Sequence, residues 1–224
     1  MFFQRPRRPS IDEHTTKMVV GVIAVSIGLV TTWASDLPDS LTSISQSCFA
    51  GDWSRNVFVG FLYAIAAFLM SYNGETVSHF FASKTASCAA FGVAMFPCDC
   101  RNESIPACAG AAAEMPSIHY ACAAVMFSAL AYFCLEFYRD ARKRAHVPAL
   151  WRARIYVVCF VAIVVSIVSL GLNAVLAGDL AAHYRRFVYA FELLALEAFG
   201  ISWFVASHVL PGITRADERH KLIG

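Results

Sequence analysis

Apolar residues gather into six long windows along this chain, separated by short polar segments. A helix needs about 20 mostly apolar residues to cross about 30 Å of hydrocarbon. The windows are 18–35, free of charge; 56–72, closed by the turn-prone Asn73-Gly74; 79–97, interrupted by Lys84; 117–138; 155–178; and 186–210, ended by Pro211-Gly212. An open strand in lipid would leave its backbone groups unsatisfied, so each window reads as a helix. The expectation is an all-α polytopic membrane protein, with residues 1–224 forming a single bundle of six transmembrane helices. No internal repeat and no long linker divides it.

Composition narrows the class further. The 224 residues are 58% hydrophobic and only 15% charged, with a mean hydropathy of +0.56. A soluble domain carries about 25% charged residues, and a disordered chain is poor in apolar ones. Both are excluded. A net charge of +2 supplies no basic field for nucleic acid.

Orientation follows from where Lys and Arg fall. With the N-terminus inside, the inner segments hold thirteen of the 18: Arg5, Arg7, Arg8 and Lys17, then Arg139, Arg142, Lys143, Arg144, Arg152 and Arg154, then Arg215, Arg219 and Lys221. The outer loops hold only Arg55, Arg101, Arg185 and Arg186, and Lys84 lies inside a span. Both termini are therefore expected in the cytoplasm. Trp33, three residues before Ser35, fits a small-residue cleavage site poorly, so the first span is expected to be retained.

Small residues four apart allow close helix approach in lipid. The third span has Ser83/Ser87, Ala86/Ala90 and Cys88/Gly92, which places it at the bundle centre. The fifth, rich in Val and Ile at 157–158 and 163–165, reads as lipid-facing.

Four cysteines, Cys48, Cys98, Cys100 and Cys108, fall on the outer face, where an oxidising environment favours disulfides. Cys98 and Cys100 are too close to pair with each other. One is expected to join Cys48 and the other Cys108, tying the two outer loops together. Asn102-Glu103-Ser104 on the second of these loops fits a glycosylation sequon.

Ionisable groups inside hydrocarbon are costly and mark candidate sites. Glu197 sits near the middle of the sixth span, and Lys84 on the third is at similar depth, so the two are expected to form a buried ion pair. Glu192, five residues before Glu197, points about 140° away around the helix and belongs instead with an outer rim of polar residues. That rim comprises Ser45, Arg55, Asn56 and Asp179, with His119, His183 and Asp52 as candidate ligands of a catalytic zinc ion. Asp179 and His183 would share a face if their segment is helical.

The runs Ser43-Ile44-Ser45, Arg55-Asn56-Val57-Phe58-Val59-Gly60 through Tyr72-Asn73-Gly74, 92–97, and Ser117-Ile118-His119-Tyr120 resemble an uncharacterised family of bacterial multi-span proteins. The resemblance covers about residues 43–135, and departs from the family pattern at Gln46-Ser47-Cys48, where an aromatic run is expected. It implies a bacterial inner-membrane protein and no particular chemistry. Asp52-Trp53 with Asn56 also resembles the alkaline-ceramidase-like transmembrane hydrolases, without their helical His-x-x-x-His metal pair.

Three functions are compatible with these features. The leading expectation is a non-catalytic bundle that binds lipid or another ligand, or an accessory subunit with protein partners in a membrane assembly. The alternatives are a metal-dependent hydrolase acting on lipid at the outer leaflet, through His119, His183 and Asp52, and a small proton-coupled transporter using Glu197.

Overall fold

Seven α-helices and no strand make up the described part of the chain in the computed structural model, which describes residues 12–74, 76–100, 105–108, 115–176 and 178–219. They are α1 Glu13–Trp33, α2 Asp52–Ser71, α3 Val77–Met95, α4 Pro116–Arg144, α5 Val147–Val175, the short α6 Asp179–His183, and α7 Phe187–Ala206. The sequon at 102–104 and the basic residues at 5–8 lie outside the described residues, as does the side chain of Asp179.

Local chemistry sets the helix ends. Asp12 caps α1, its carboxylate accepting from the Thr15 amide at 2.9 Å. α4 and α5 outrun their apolar windows. Arg142, Lys143 and Arg144 occupy the last turn of α4, where cations complement the helix dipole. Only Ala145 and His146 separate α4 from α5, with Ala145 in the left-handed region (φ 54°) and the His146 ring accepting from the Ala149 amide at 3.2 Å.

The six long helices close a ring in chain order: α1 on α2, α2 on α3, α3 on α4, α4 on α5, α5 on α7, and α7 back on α1. The α1–α7 seam is the tightest. A Cβ on Gly21 would stand 2.7 Å from the Phe204 nitrogen and 2.8 Å from the Gly200 carbonyl, so glycine lets the two backbones touch. Near the end where α1 begins and α7 ends, Trp203 and Phe199 of α7 pack with Phe133 and Phe137 of α4 and with Tyr72, in tilted and edge-on ring contacts.

α3 therefore occupies one place in the ring rather than the bundle centre. Its small residues Ser83, Ala86, Ser87 and Ala90 are buried toward α2 and α4, but Cys88 is exposed. The expectation for α5 holds in large part: Val157, Val158, Val161, Val165 and Val168 face outward, while Ile163 is fully buried.

Five helices, α1, α2, α4, α5 and α7, are long and apolar enough to cross a membrane, the mark of an integral membrane protein. α3 has 19 residues but is more polar, and several of its polar groups meet neighbours. The Ser83 hydroxyl donates to the Tyr72 carbonyl at 2.7 Å, the Ser87 hydroxyl to the Ala66 carbonyl at 2.6 Å, and the His79 ring lies 3.5 Å from Glu136.

Candidate functional site

The segment between α1 and α2 folds into the end of the bundle instead of looping away from it. Leu41 and Ile44 are fully buried, and the segment is stitched to α7. The Tyr189 amide donates to the Thr42 carbonyl at 2.9 Å, and Arg185 and Arg186 donate to the carbonyls of Asp39 and Pro38. Within the segment, the Gln46 side chain accepts from the amide and hydroxyl of Thr42 at 3.0 and 2.9 Å. A 3-10 turn over Ser45–Phe49 then presents Ser45 inward.

Ser45 meets two ionisable side chains from distant helices. Glu192 of α7 accepts from the Ile44 amide at 2.5 Å and from the Ser45 amide at 3.4 Å through Oε2, while its Oε1 stands 3.0 Å from the Ser45 hydroxyl. On the other side, His119 Nε2 of α4 is 3.2 Å from the same hydroxyl. His119 Nδ1 lies 2.7 Å from the Phe96 carbonyl at the end of α3. A carbonyl only accepts, so Nδ1 carries the proton and Nε2 faces Ser45. His119 and Ser45 are both buried. Ser45 and Glu192 also form the polar part of the wall of an otherwise apolar cavity of about 30 Å³, bordered by Ile27, Phe58, Met126 and Leu196. Polar groups in such surroundings are costly unless every hydrogen bond is made.

The remaining rim residues do not join this group. Asp52 is exposed and lies 3.5 Å from Arg55 one turn along α2. Asn56 and His183 are exposed as well. His119, His183 and Asp52 thus do not converge, and among the described residues no three His, Cys, Asp or Glu side chains are placed to hold a metal ion. The expected zinc ligand set is corrected accordingly: His119 faces a serine and a carbonyl.

The Glu197–Lys84 ion pair is also corrected. Lys84 caps the C-terminal end of α2, donating to the carbonyl of Met70, to the Tyr72 carbonyl at 2.9 Å and to Asn73 Oδ1 at 3.1 Å. Its long stem carries the ammonium away from the depth of its Cα, and a cation suits a helix C-terminus. Glu197 is half-buried and has no ion pair among the described residues.

The cysteine pairing is half right. Cys100 and Cys108 are bonded, with Cα atoms 5.3 Å apart, whereas Cys48 and Cys98 are free thiols. The bridge therefore closes a loop within the segment between α3 and α4 and does not tie it to the segment between α1 and α2. Burial pushes the Cys48 thiol up to about 11 against the opposing pull of Arg55. Burial does the same to Cys98, which lies beside the Glu192 carboxyl and the Cys48 thiol. Thiols raised in this way are poor nucleophiles.

Beside this network a groove of about 810 Å³ opens at the same end of the bundle. Asp36, Asp52 and Arg55 supply charge to its lining, and Val59, Met95 and Pro97 an apolar wall. Gly51, at φ 113°, turns the chain into α2 at the groove; a Cβ there would strike the Asp36 carboxylate.

No family model, curated protein or solved structure matches this chain. The site rests on its own geometry.

Sequence reasoning grouped Ser45, His119 and Glu192 on one polar rim but did not give their contacts, because residue type gives no azimuth for helices from different parts of the chain. A second cluster escaped it altogether. At the opposite end, Glu218 accepts from Arg144 at 2.9 Å, from His146 at 3.0 Å and from the fully buried Arg152 at 3.1 Å, while Arg152 also donates to the Ile213 carbonyl. Burial alone would raise the Glu218 carboxyl, but these three donors outweigh it and hold it at about 2. The only signal in sequence was an acid in a basic tail.

Proposed function

We propose that this chain is an integral protein of a bacterial inner membrane, crossing six times with both termini in the cytoplasm. It acts as a non-catalytic bundle that binds a phospholipid at its outer end. The observation that carries this reading is the groove of about 810 Å³, which combines charge of both signs with an apolar wall. Its volume falls in the range of small-molecule sites, about 300–1,000 Å³. A zwitterionic head group matches the lining: an ammonium beside Asp36 and Asp52, a phosphate beside Arg55, and acyl carbons along Val59 and Met95.

Two features support the membrane part of the proposal. α3 closes the ring between α2 and α4, and its 19 residues rise about 28 Å, close to the hydrocarbon thickness. The Cys100–Cys108 bridge lies at the end opposite the arginine-rich α4–α5 turn, as expected when the first faces an oxidising compartment and the second the cytoplasm.

Native mass spectrometry of protein purified in mild detergent tests the lipid. Added phosphatidylethanolamine should be retained in preference to phosphatidylglycerol, and retention should fall in Arg55→Ala and Asp36→Asn. Equal retention of both lipids, or no effect of either substitution, would sink the proposal. Co-purification of a stoichiometric protein partner would favour the accessory-subunit reading instead.

A further inference from the structure

We infer that Glu192, Ser45 and His119 form a binding site for a single proton, shared between the carboxyl and the imidazole through the Ser45 hydroxyl. The inference goes beyond lipid binding and does not depend on it.

It follows from counting donors. Oε2 of Glu192 takes the two backbone amides, and His119 Nδ1–H is committed to the Phe96 carbonyl, with the Val93 backbone also beside the ring. That leaves two contacts, both to Ser45 Oγ: Oε1 at 3.0 Å and Nε2 at 3.2 Å. With Glu192 ionised and His119 neutral, the hydroxyl has one hydrogen for two acceptors, and one contact sets lone pair against lone pair. With both groups protonated, Oγ receives two donors and its own hydrogen has no acceptor. Only the state with one proton makes both contacts hydrogen bonds and also gives the Oγ hydrogen an acceptor. That state is also uncharged, either as neutral acid and neutral imidazole or as carboxylate and imidazolium with no net charge. A low-dielectric interior disfavours net charge. Hydrogen-bond count and electrostatics select the same state.

The proton can sit at either end. Transfer moves the Glu192 hydrogen to Oγ while the Oγ hydrogen passes to Nε2: the O–H bonds of Glu192 and Ser45 break, one O–H bond re-forms on Oγ and one N–H bond forms on Nε2, with the carboxylate left at one end and the imidazolium at the other. One end of the relay borders the apolar cavity of about 30 Å³, large enough for a water. The other end backs onto the segment after α3, at the outer end of the bundle.

The charged and titratable groups around the network are few. Cys98 and Asp99 come from the segment after α3, Tyr120 from α4, and Cys48 from the turn that carries Ser45, with Arg55 of α2 acting on Cys48. Thr32 of α1 and Tyr189 of α7 bond each other through their hydroxyls at 2.8 Å.

Glu192→Gln tests the site. A glutamine reproduces the one-proton pattern permanently: its carbonyl oxygen accepts the two amides, its NH2 donates to Oγ, and Ser45 donates to Nε2. The Tm of the variant in detergent should lie within about 2 °C of wild type at neutral pH. Wild type should lose stability on both sides of its pH optimum, and the variant only on the acid side. A drop of about 5–10 °C at neutral pH, as removal of an ionised cap would give, overturns the inference. Independently of whether the variant folds, ¹⁵N spectra of wild-type protein should show His119 with its neutral-state proton on Nδ1; in the folded variant its titration should be displaced. A neutral Nε2–H tautomer, or an unchanged titration, refutes it.

Discussion

Gly200→Ala places a methyl group in the α1–α7 seam. Its Cβ would lie 2.6 Å from Val25 Cγ2, 2.8 Å from the Gly21 carbonyl oxygen and 2.8 Å from the Val25 nitrogen. Two of those three atoms are backbone, so no rotamer change relieves the clash. Non-bonded heavy atoms settle at about 3.5 Å or more, so the helices must part by roughly 0.7 Å. That movement loosens packing along the seam and strains the Thr32–Tyr189 hydrogen bond at 2.8 Å. Overpacking of this kind costs about 1–3 kcal/mol, which for a domain of this size lowers Tm by roughly 3–10 °C. Gly21→Ala should cost a similar amount, since its Cβ meets the Phe204 nitrogen at 2.7 Å. One separation of the helices relieves both, so the double variant should lose less than the sum. Gly60 and Gly171 are the controls: neither would bring a Cβ within 4 Å of other atoms. There, alanine should be neutral or raise stability by up to about 1 kcal/mol through helix propensity. Thermal unfolding of the five variants in one detergent decides the matter. A Gly200→Ala protein that melts with Gly171→Ala would refute the close-packed seam.

Glu218→Ala should destabilise the protein by about 3 kcal/mol, because it leaves Arg152, which is 1% exposed, without its counter-charge. Since the Glu218 carboxyl is held near 2 against an ordinary 4.5, its contribution is fully present above about 4.5 and is lost as pH falls toward 2; wild-type and variant melting curves should converge over that interval. Non-reducing mass spectrometry should recover Cys100 linked to Cys108, with Cys48 and Cys98 alkylated only after unfolding; a Cys48 crosslink would contradict the observed pairing. Reporters fused after Gly224 and inserted near His146 should both read cytoplasmic, and an outward signal from either would reverse the orientation. Glu197→Gln and Lys84→Met should have additive effects on Tm, because Lys84 is satisfied by α2 and not by Glu197; coupling between them would restore the ion pair.

What sequence alone determined here is what lipid enforces locally. A crossing segment must satisfy its own backbone and present about 20 apolar residues, so helix existence and approximate limits are visible in a one-dimensional pattern. All six windows became helices, with ends shifted by a few residues where caps and prolines decided them. The polar character of α3 was also visible, but its reason was not: Ser83 and Ser87 bond to carbonyls of α2, and that partnership exists only once the helices pack. Depth can be counted along a chain, which is why Glu197 and Lys84 looked like partners. Azimuth and side-chain reach cannot be counted, and they sent Lys84 back to the end of α2. The same limit left the polar rim without contacts: that Glu192 meets Ser45, 147 residues away, and Ser45 meets His119, 74 residues away, could not be counted along the chain. Their meeting depends on a loop that dips into the bundle, on the rotation of α7 set by its glycine seam with α1, and on a carbonyl at the end of α3 that fixes the histidine ring. Each of those is a property of helices packed together, because only packing gives a helix a defined rotation about its own axis.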